Sequence, residues 1–459
     1  MKKRIDRGKR SAKCLAEATG GKLVGESVPL QSLVVDSRQV ETGDLFAAIC
    51  GQHLDGHDFA PQAMARGAAA LLTERKLDGV LPQLVVADVT RASGRFGYLK
   101  RQAFAGDIVA ITGSAGKTTT KNLIAAALAP EGAVHATLGN QNNELGVPMT
   151  LAGLTPSHRF GVIEMGAGRP GDIAYLCELA RPNVAVCLNA SAAHLAYYDS
   201  IDAIAATKGE IFQSLGEVGV AIMNADQQWL PHWREQAGRA RQVTFGLSEA
   251  ADYRAVQILH KGIKGTQFLL QGPAVSFPVK LKLAGDQHVM NALAAIAAAV
   301  ELGVAPETAV KGLETVLPIA GRGTLSRRPA GGQVVDDSYN ANPAAVKAAI
   351  DVLARESGYR LLLLGPMLEL GATSDALHRE VGRYASEAGI DQLIAVGSEA
   401  APAAEMFGHE ALHFADQTSL QAGFPALPEE HTIWVKGSRG AGLEQTVAWL
   451  LAPGEESSC

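Results

Sequence analysis

The chain reads Thr112-Gly113-Ser114-Ala115-Gly116-Lys117-Thr118-Thr119-Thr120 where an apolar run, residues 108–112, meets a predicted helix. Glycines in such a loop let backbone N–H groups point inward, the helix N-terminus adds positive potential, and a lysine can meet the outer phosphates. The pattern therefore predicts a nucleoside triphosphate, ATP, as ligand. The simpler alternative is a strand, turn and helix that carry a surface lysine.

The segments around this loop predict an α/β fold with a mostly parallel sheet. Buried-looking strands follow the loop, with helical stretches between them, at residues 160–165, 184–188 and 218–223. We assign residues 106–317 to this central P-loop parallel-sheet ATPase domain.

Two further domains are predicted on either side of the central one. Residues 1–105 form a small α/β domain, with an alanine-rich helix at 60–70 and strands at 32–35, 45–49 and 84–86. Residues 318–459 restart the strand, loop and helix pattern and are predicted to be Rossmann-like, with strands at 333–335, 360–364, 392–396 and 432–435.

Composition limits the classes of function. The 459 residues are 47% hydrophobic and 19% charged with a net charge of −6, which is typical of a folded globular protein. Such a charge does not favour nucleic acid or anionic membranes as partners. The five cysteines lie far apart without CxxC spacing, and no long apolar stretch is present, so we expect a cytoplasmic protein without a membrane span. We take a monomer as the working expectation.

Two oxygen-bearing side chains are candidates for a magnesium site. Thr118 follows the loop lysine, where its hydroxyl can bind Mg²⁺. Glu164 ends a predicted parallel strand, and ligands gather beyond the carboxyl ends of such strands. An ordinary surface ion pair is the alternative for Glu164.

His194 and Lys208 are the other two candidate catalytic residues. His194 lies on a third loop between a strand and a helix, although a lone histidine is more often structural. Lys208 shares one helical stripe with Ile204 and Ile211. A lysine there must extend its amine to water, find an acid, or lose its charge by burial or modification.

Several motifs make the chain resemble the Mur ligases over nearly its whole length, and the MurF type most closely. They are Asp36-Ser37-Arg38, residues 43–46, residues 55–59 with His57 and Asp58, the phosphate loop, residues 139–148, Glu164-Met165-Gly166, residues 208–211, and Asp336-Asp337-Ser338-Tyr339-Asn340-Ala341-Asn342-Pro343. The last segment most separates MurF-like enzymes from their relatives.

The resemblance implies a three-domain ligase in which ATP phosphorylates the carboxylate of a UDP-muramoyl tripeptide and D-alanyl-D-alanine displaces the phosphate. Lys117 and the loop from Gly113 to Thr119 would hold ATP. Thr118 and Glu164 would bind one Mg²⁺, and His194 would serve a second. Lys208 matches the family lysine that becomes a carbamate and binds magnesium.

The remaining candidate residues also come from the resemblance. Contacts to adenine, ribose or phosphate are implied for Asn291, Arg322, Asp337 and Asn340, and contacts to the UDP-peptide for Asp36, Ser37, Arg38, His57, Asp58, Asn142 and Asn143. The chain departs from the usual family pattern at Cys50, Gln287, His288, Pro366 and Gly440.

Two other functions stay open at the level of sequence. One is a sister ligase that uses a different amine, such as an amino-acid-adding Mur enzyme or a folylpolyglutamate-type synthetase. Residues 337–343 and the UDP-type first domain argue against it. The other is a nucleotide-dependent binding or regulatory protein that has lost ligation, for which Pro366 and Gln287 are the best support.

Overall fold

The computed structural model describes residues 11–51, 53–80, 82–191, 198–273 and 275–453. Within these ranges the strands form three sheets of five, nine and six strands, which follow one another along the chain. Helices pack against each sheet, so the α/β class predicted from the sequence is confirmed. In the same ranges, no helix combines the length and the apolar character that crossing a bilayer requires.

The first sheet has the strand order β1-β5-β4-β3-β2, with only β1 and β5 antiparallel. Its strands are β1 (Lys22–Val24), β2 (Leu33–Val34), β3 (Leu45–Ala47), β4 (Ala70–Thr73) and β5 (Gln83–Val85). Its helices are α1 (Ala12–Thr19), α2 (Ala60–Ala65) and α3 (Val89–Gln102). The predicted helix at 60–70 was too long, because Gly67 adopts a φ of 104° and Ala70 begins a strand.

The central sheet has the order β14-β13-β12-β11-β10-β9-β6-β8-β7. Its strands are β6 (Asp107–Thr112), β7 (Val134–Ala136), β8 (Phe160–Glu164), β9 (Val184–Cys187), β10 (Val220–Asn224), β11 (Arg241–Gly246), β12 (Tyr253–His260), β13 (Thr266–Gly272) and β14 (Val275–Leu281). Pairing is parallel from β7 to β12, as predicted. The antiparallel pairs that β13 makes with β12 and β14 were not predicted.

Seven helices accompany the described part of the central sheet. They are α4 (Lys117–Leu128), α5 (Gly146–Ala152), α6 (Asp172–Ala180), α7 (Ile201–Gln213), α8 (Leu230–Ala237), α9 (Asp286–Glu301) and α10 (Pro306–Leu313). The alanine-rich α9 is buried along most of its length, because small side chains let it approach both α4 and the sheet closely.

The third sheet has the order β15-β16-β20-β17-β18-β19, in which only the edge strand β15 is antiparallel. Its strands are β15 (Thr324–Arg327), β16 (Gln333–Asp337), β17 (Tyr359–Leu364), β18 (Gln392–Val396), β19 (Ala411–Phe414) and β20 (His431–Lys436). Its helices are α11 (Pro343–Leu353), α12 (Ser374–Glu387), α13 (Ala401–Phe407), α14 (Gln417–Gly423) and α15 (Glu444–Leu451). This open parallel arrangement is the Rossmann-like one predicted.

Helix α3 joins the first sheet to the central one through close contacts. A Cβ on Gly97 would lie 2.8 Å from the Cα of Pro148, so glycine is needed where α3 crosses α5. The Arg101 guanidinium donates to the carbonyl oxygens of Ala180 and Arg181 at 2.7 and 3.0 Å. These contacts fix α3, and with it the first sheet, against helices of the central domain.

Candidate active site at the rim of the central sheet

A cleft of about 1940 Å³ opens where the central parallel strands end, and residues from all three sheets and their helices line it. This is the position at which open α/β sheets bind their ligands. The cleft brings together fourteen of the predicted site residues, namely Ser114, Ala115, Gly116, Lys117, Thr118, Thr119, Asn142, Asn143, Glu164, Lys208, Asn291, Arg322, Asp337 and Asn340.

The phosphate loop connects β6 to α4. Gly113 and Gly116 have φ values of 157° and 86°, and α4 begins at Lys117 without a side-chain cap, so its first N–H groups have no capping side chain, and its first three residues line the cleft. A Cβ on Gly116 would collide with Oδ1 of Asn291, which packs directly against the loop. Lys117 Nζ donates to the Gly113 carbonyl oxygen at 2.7 Å. Such a loop can wrap a phosphate with backbone N–H groups.

Glu164 is the last residue of β8 and is almost completely buried. Its N–H donates to Oγ1 of Thr137 at 3.0 Å, and its Oε1 accepts from Nδ2 of Asn142 at 2.8 Å. Its Oε2 is buried and has no hydrogen-bond partner among the described residues. A buried carboxylate oxygen without a donor is costly, and a cation is the partner that such an oxygen suits.

Lys208 lies buried on α7, as the apolar stripe predicted. Burial, together with the nearby positive charge of Lys117, lowers the pKa of Lys208 to about 7. Burial also lowers the pKa of Lys117, an effect that Glu164 opposes. Lys117 therefore lies close enough to both Lys208 and Glu164 for their charges to interact.

The third sheet supplies the opposite wall. The Arg322 guanidinium carbon lies 4.1 Å from the centre of the Tyr339 ring, a cation–π contact. Lys436 Nζ donates to Oδ2 of Asp337 at 2.7 Å and to the carbonyl oxygen of Asn340 at 3.0 Å. Lys436 thereby holds both predicted nucleotide-binding residues in place at the end of β16.

Comparison with known proteins identifies the family. Residues 29–93, 111–299 and 321–439 match, respectively, the descriptions "Mur ligase family, catalytic domain", "Mur ligase middle domain" and "Mur ligase, glutamate ligase domain". A relative from Escherichia coli named UDP-N-acetylmuramoyl-tripeptide–D-alanyl-D-alanine ligase is 42% identical over 447 residues, covering 96% of this chain and 98% of the relative. The chain belongs to the Mur ligase family.

Solved structures of Mur ligases share this architecture. MurF from Acinetobacter baumannii superposes with a TM-score of 0.88 at 34% identity, covering 96% of this chain and 98% of that one. MurF from Thermotoga maritima, solved in complex with ADP, has a TM-score of 0.80 at 29% identity, covering 92% and 97%. The three-domain Mur ligase fold predicted from the sequence is therefore confirmed.

Five residues that were predicted to bind the UDP end do not line the cleft of this Mur ligase. Asp36 pairs with the exposed Arg38, and Oγ of Ser37 donates to Gln62. His57 is buried; its Nδ1 lies 2.6 Å from Asp55, and its Nε2 accepts from the N–H of Glu74, so both nitrogens are used internally. Asp58 is exposed on the same short helical turn. Contact of these five residues with substrate stays a prediction.

Other residues of the Mur ligase line the cleft without having been predicted, among them Asp88, Thr90 and Arg91 at the start of α3. A single Arg or Thr outside a recognisable motif carries no sequence signal that it lines a ligand cleft. His194 lies outside the described residues, and its role stays a prediction. Gly113 contributes its carbonyl oxygen to Lys117 but does not line the cleft.

Proposed function

We propose that this Mur ligase adds D-alanyl-D-alanine to a UDP-N-acetylmuramoyl tripeptide, using ATP, during synthesis of the peptidoglycan precursor. The observation that carries the proposal is the convergence of Lys117, Glu164 and Lys208 in one cleft beside the phosphate loop. The names of the relatives support this choice of substrates, since those that match over nearly the full length are ligases for these two compounds.

ATP binding is assigned to the phosphate loop and to the opposite wall. The loop from Gly113 to Thr119 would surround the phosphates, with the ammonium of Lys117 and the N–H groups at the start of α4 as donors. Asn291 and Arg322 would contact the nucleotide from beside the loop, and Asp337 and Asn340 from the third sheet. The ADP complex of the Thermotoga relative supports a nucleotide in this fold.

The proposal includes two magnesium ions, and the buried carboxylate of Glu164 supports one of them. Thr118 lines the cleft, and Glu164 Oε2 is a buried oxygen without a donor among the described residues. We assign Thr118 and Glu164 to one ion, and His194 and a carbamate on Lys208 to the second. Bound magnesium would offset the negative charge that builds up between the triphosphate and the carboxylate.

The carbamate proposal for Lys208 rests on its burial. Only the neutral amine can attack carbon dioxide, and a lysine whose pKa is lowered to about 7 is neutral in a large share of molecules near neutral pH. The product would be an anion beside Lys117, in place of a buried ammonium that Lys117 repels. Modification would thus replace repulsion by attraction.

The reaction itself needs activation of a carboxylate, because oxide is a poor leaving group. The terminal carboxylate oxygen of the tripeptide attacks the γ-phosphorus, ADP leaves, and an acyl phosphate forms. The amine of D-alanyl-D-alanine then attacks the carbonyl carbon, loses a proton, and expels phosphate as the amide forms. The protein contributes positioning and charge neutralisation, with Lys117 on the phosphates and Asn142 and Asn143 near the reacting end of the tripeptide.

Three further assignments belong to this proposal. The domain limits are 1–105, 106–317 and 318–459; Asp36, Ser37, Arg38, His57 and Asp58 serve the UDP end; and the enzyme acts as a cytoplasmic monomer. A reducing compartment suits the free thiols of Cys14, Cys50, Cys177 and Cys187.

An assay of phosphate release tests the proposed function. Release should require ATP, UDP-muramoyl tripeptide and D-alanyl-D-alanine together. Lys117→Ala should lower turnover by at least about 10²-fold, by analogy with loss of one electrostatic donor. Release with another amine in place of the dipeptide would instead identify a sister ligase, and release that needs no acceptor would contradict ligation.

A further inference from the structure

Lys121 is a buried cation that has no role in the proposed reaction. It lies on α4 one turn after Lys117, and only 4% of it is exposed. Its Nζ donates to the main-chain carbonyl oxygen of Thr137 at 2.6 Å. Since burying an ammonium is unfavourable unless it is well partnered, this contact requires an explanation.

Thr137 connects that ammonium to Glu164. It follows β7 directly, and its N–H donates to the carbonyl oxygen of Val162 at 3.0 Å. Its Oγ1 accepts the N–H of Glu164, also at 3.0 Å. The N–H, the hydroxyl and, through Lys121, the carbonyl of Thr137 are all fixed, so Thr137 forms a rigid support behind Glu164.

The segment that continues from Thr137 reaches Glu164 from the other side. Residues 138–146 carry Asn142, whose Nδ2 donates to Oε1 of Glu164 at 2.8 Å. The carbonyl oxygen of Asn142 accepts the N–H of Gly166, also at 2.8 Å. Glu164 is therefore held from behind by Thr137 and from the cleft by Asn142, and both belong to the stretch that Lys121 anchors.

The charge of Lys121 acts in the same direction. Burial lowers the pKa of Lys121, and the negative charge of Glu164 counteracts that effect. The attraction between the two groups supports the contacts that place them close together. The positive charge of Arg322 repels that of Lys121, and Arg322, unlike Lys121, lines the cleft.

We propose that Lys121 is a positioning residue: by holding the Thr137 carbonyl it keeps Thr137 and Asn142 in contact with Glu164, which aligns Glu164 for magnesium. The proposal rests on the magnesium site of the proposed function. Groups that orient a metal ligand typically change metal affinity by about 10- to 100-fold when removed.

Replacement of Lys121 by methionine in the full chain tests this role. Calorimetry would measure binding of a non-hydrolysable ATP analogue over a series of Mg²⁺ concentrations, which gives the apparent Mg²⁺ affinity without any turnover. We expect Lys121→Met to weaken that affinity by about 10- to 100-fold. Affinity for the analogue without Mg²⁺ should not change, because Lys121 does not line the cleft.

Lys100 provides a matched control. It is buried on α3, 5% exposed, and its Nζ also donates to a main-chain carbonyl oxygen, that of Gln31. Lys100→Met therefore removes a comparable buried contact outside the cleft and should leave the apparent Mg²⁺ affinity unchanged. An equal loss in both variants would overturn the proposal, because it would indicate general destabilisation.

A second pair of variants tests the same support without removing a charge. Thr137→Val removes the hydroxyl that accepts from Glu164, whereas Thr137→Ser keeps it. We expect weaker Mg²⁺ binding only in the valine variant. If Lys121→Met folds and binds Mg²⁺ with wild-type affinity, the proposal is overturned. If Lys121→Met does not fold, equal Mg²⁺ affinities in the two Thr137 variants would overturn it.

The two proposals fail in different ways. If Mg²⁺ strengthens binding of the analogue but no ligation occurs, the proposed function is contradicted and the role of Lys121 is not. If the affinity of the wild-type protein for the analogue does not depend on Mg²⁺, the role of Lys121 is overturned. If Lys121→Met still ligates and binds Mg²⁺ with wild-type affinity, the role of Lys121 is overturned and the proposed function is not.

Discussion

Lys208 is the residue whose chemistry depends most on its surroundings. We expect Lys208→Ala to be inactive, because it removes the group that would carry the carbamate. An added short carboxylate such as acetate should restore part of the phosphate release by supplying an anion to the same place. Full activity of the variant, with no response to acetate, would count against the carbamate.

His288 should make stability depend on pH. Burial, helped by the positive charge of Lys436, lowers its pKa from 6.5 to about 4. Between those values the unfolded chain binds more protons than the folded one, so the free energy of unfolding falls as pH drops from 6.5 to 4. The loss from this group should be up to about 3 kcal/mol, at 1.36 kcal/mol per pKa unit.

Urea unfolding of wild type and His288→Asn at pH 7, 5 and 4 measures this contribution. The difference between the two proteins should shift in favour of the variant as pH falls, since asparagine does not titrate. A difference that stays constant over the three pH values would show that His288 does not bind a proton on unfolding.

The sequence predicted individual site residues unevenly. Lys117 was predicted from the phosphate-loop pattern, and Glu164 because it ends an apolar strand and parallel strands end at one rim. Lys121 was not predicted, because its partner is a main-chain carbonyl sixteen residues away, and no side-chain pattern records such a contact. His57 was assigned to substrate although both of its ring nitrogens have partners within the protein.

At the scale of elements, the phosphate loop offers a sharp test. Gly116→Ala would place a Cβ against Asn291 at a φ of 86°. Gly20→Ala is a matched control, because Gly20 has a φ of 66° but no atom within 4 Å of the added Cβ. Both variants should lose about 1–2 kcal/mol of stability from the left-handed backbone.

Only Gly116→Ala should also lose affinity for ADP, by at least about tenfold, which corresponds to 1.4 kcal/mol. Calorimetric titration of both variants and the wild type supplies the comparison. Equal ADP affinities in the two variants would mean that the contact with Asn291 does not shape the loop.

Elements with one clear periodicity were predicted well, and those set by tertiary contacts were not. The strands β6, β8 and β9 are continuous apolar runs buried on both faces. The burial of β13 alternates, but its sequence does not, because Leu269 lies between Phe268 and Leu270; the antiparallel pairing therefore had no clear sequence signal. The end of α2 depends on the backbone at Gly67, which an alanine-rich composition conceals.

At the scale of the whole molecule, the first and third sheets contact the central one through different elements. The first sheet is fixed to the central one by α3, through Gly97 and Arg101. Between the central and third sheets, the N–H of Ile263 donates to Oε1 of Glu356 at 2.8 Å, close to the turn that joins β12 and β13. We expect closure around the substrates to move the third sheet and its helices, because they supply the opposite wall of the cleft.

Small-angle scattering tests closure. Adding an ATP analogue together with UDP-muramoyl tripeptide should reduce the radius of gyration, because closing the cleft excludes water from an acyl phosphate that water would hydrolyse. Either ligand alone serves as the control. Superimposable curves with and without both ligands would argue against closure.

Transfer of oxygen tests most directly whether this cleft activates a carboxylate with ATP. UDP-muramoyl tripeptide labelled with ¹⁸O in both oxygens of its terminal carboxylate would be converted with ATP and D-alanyl-D-alanine, and the released phosphate analysed by mass spectrometry. An acyl phosphate route predicts one ¹⁸O in each phosphate, because the bridging oxygen leaves with phosphorus. Phosphate without label, released as the amide forms, would contradict it.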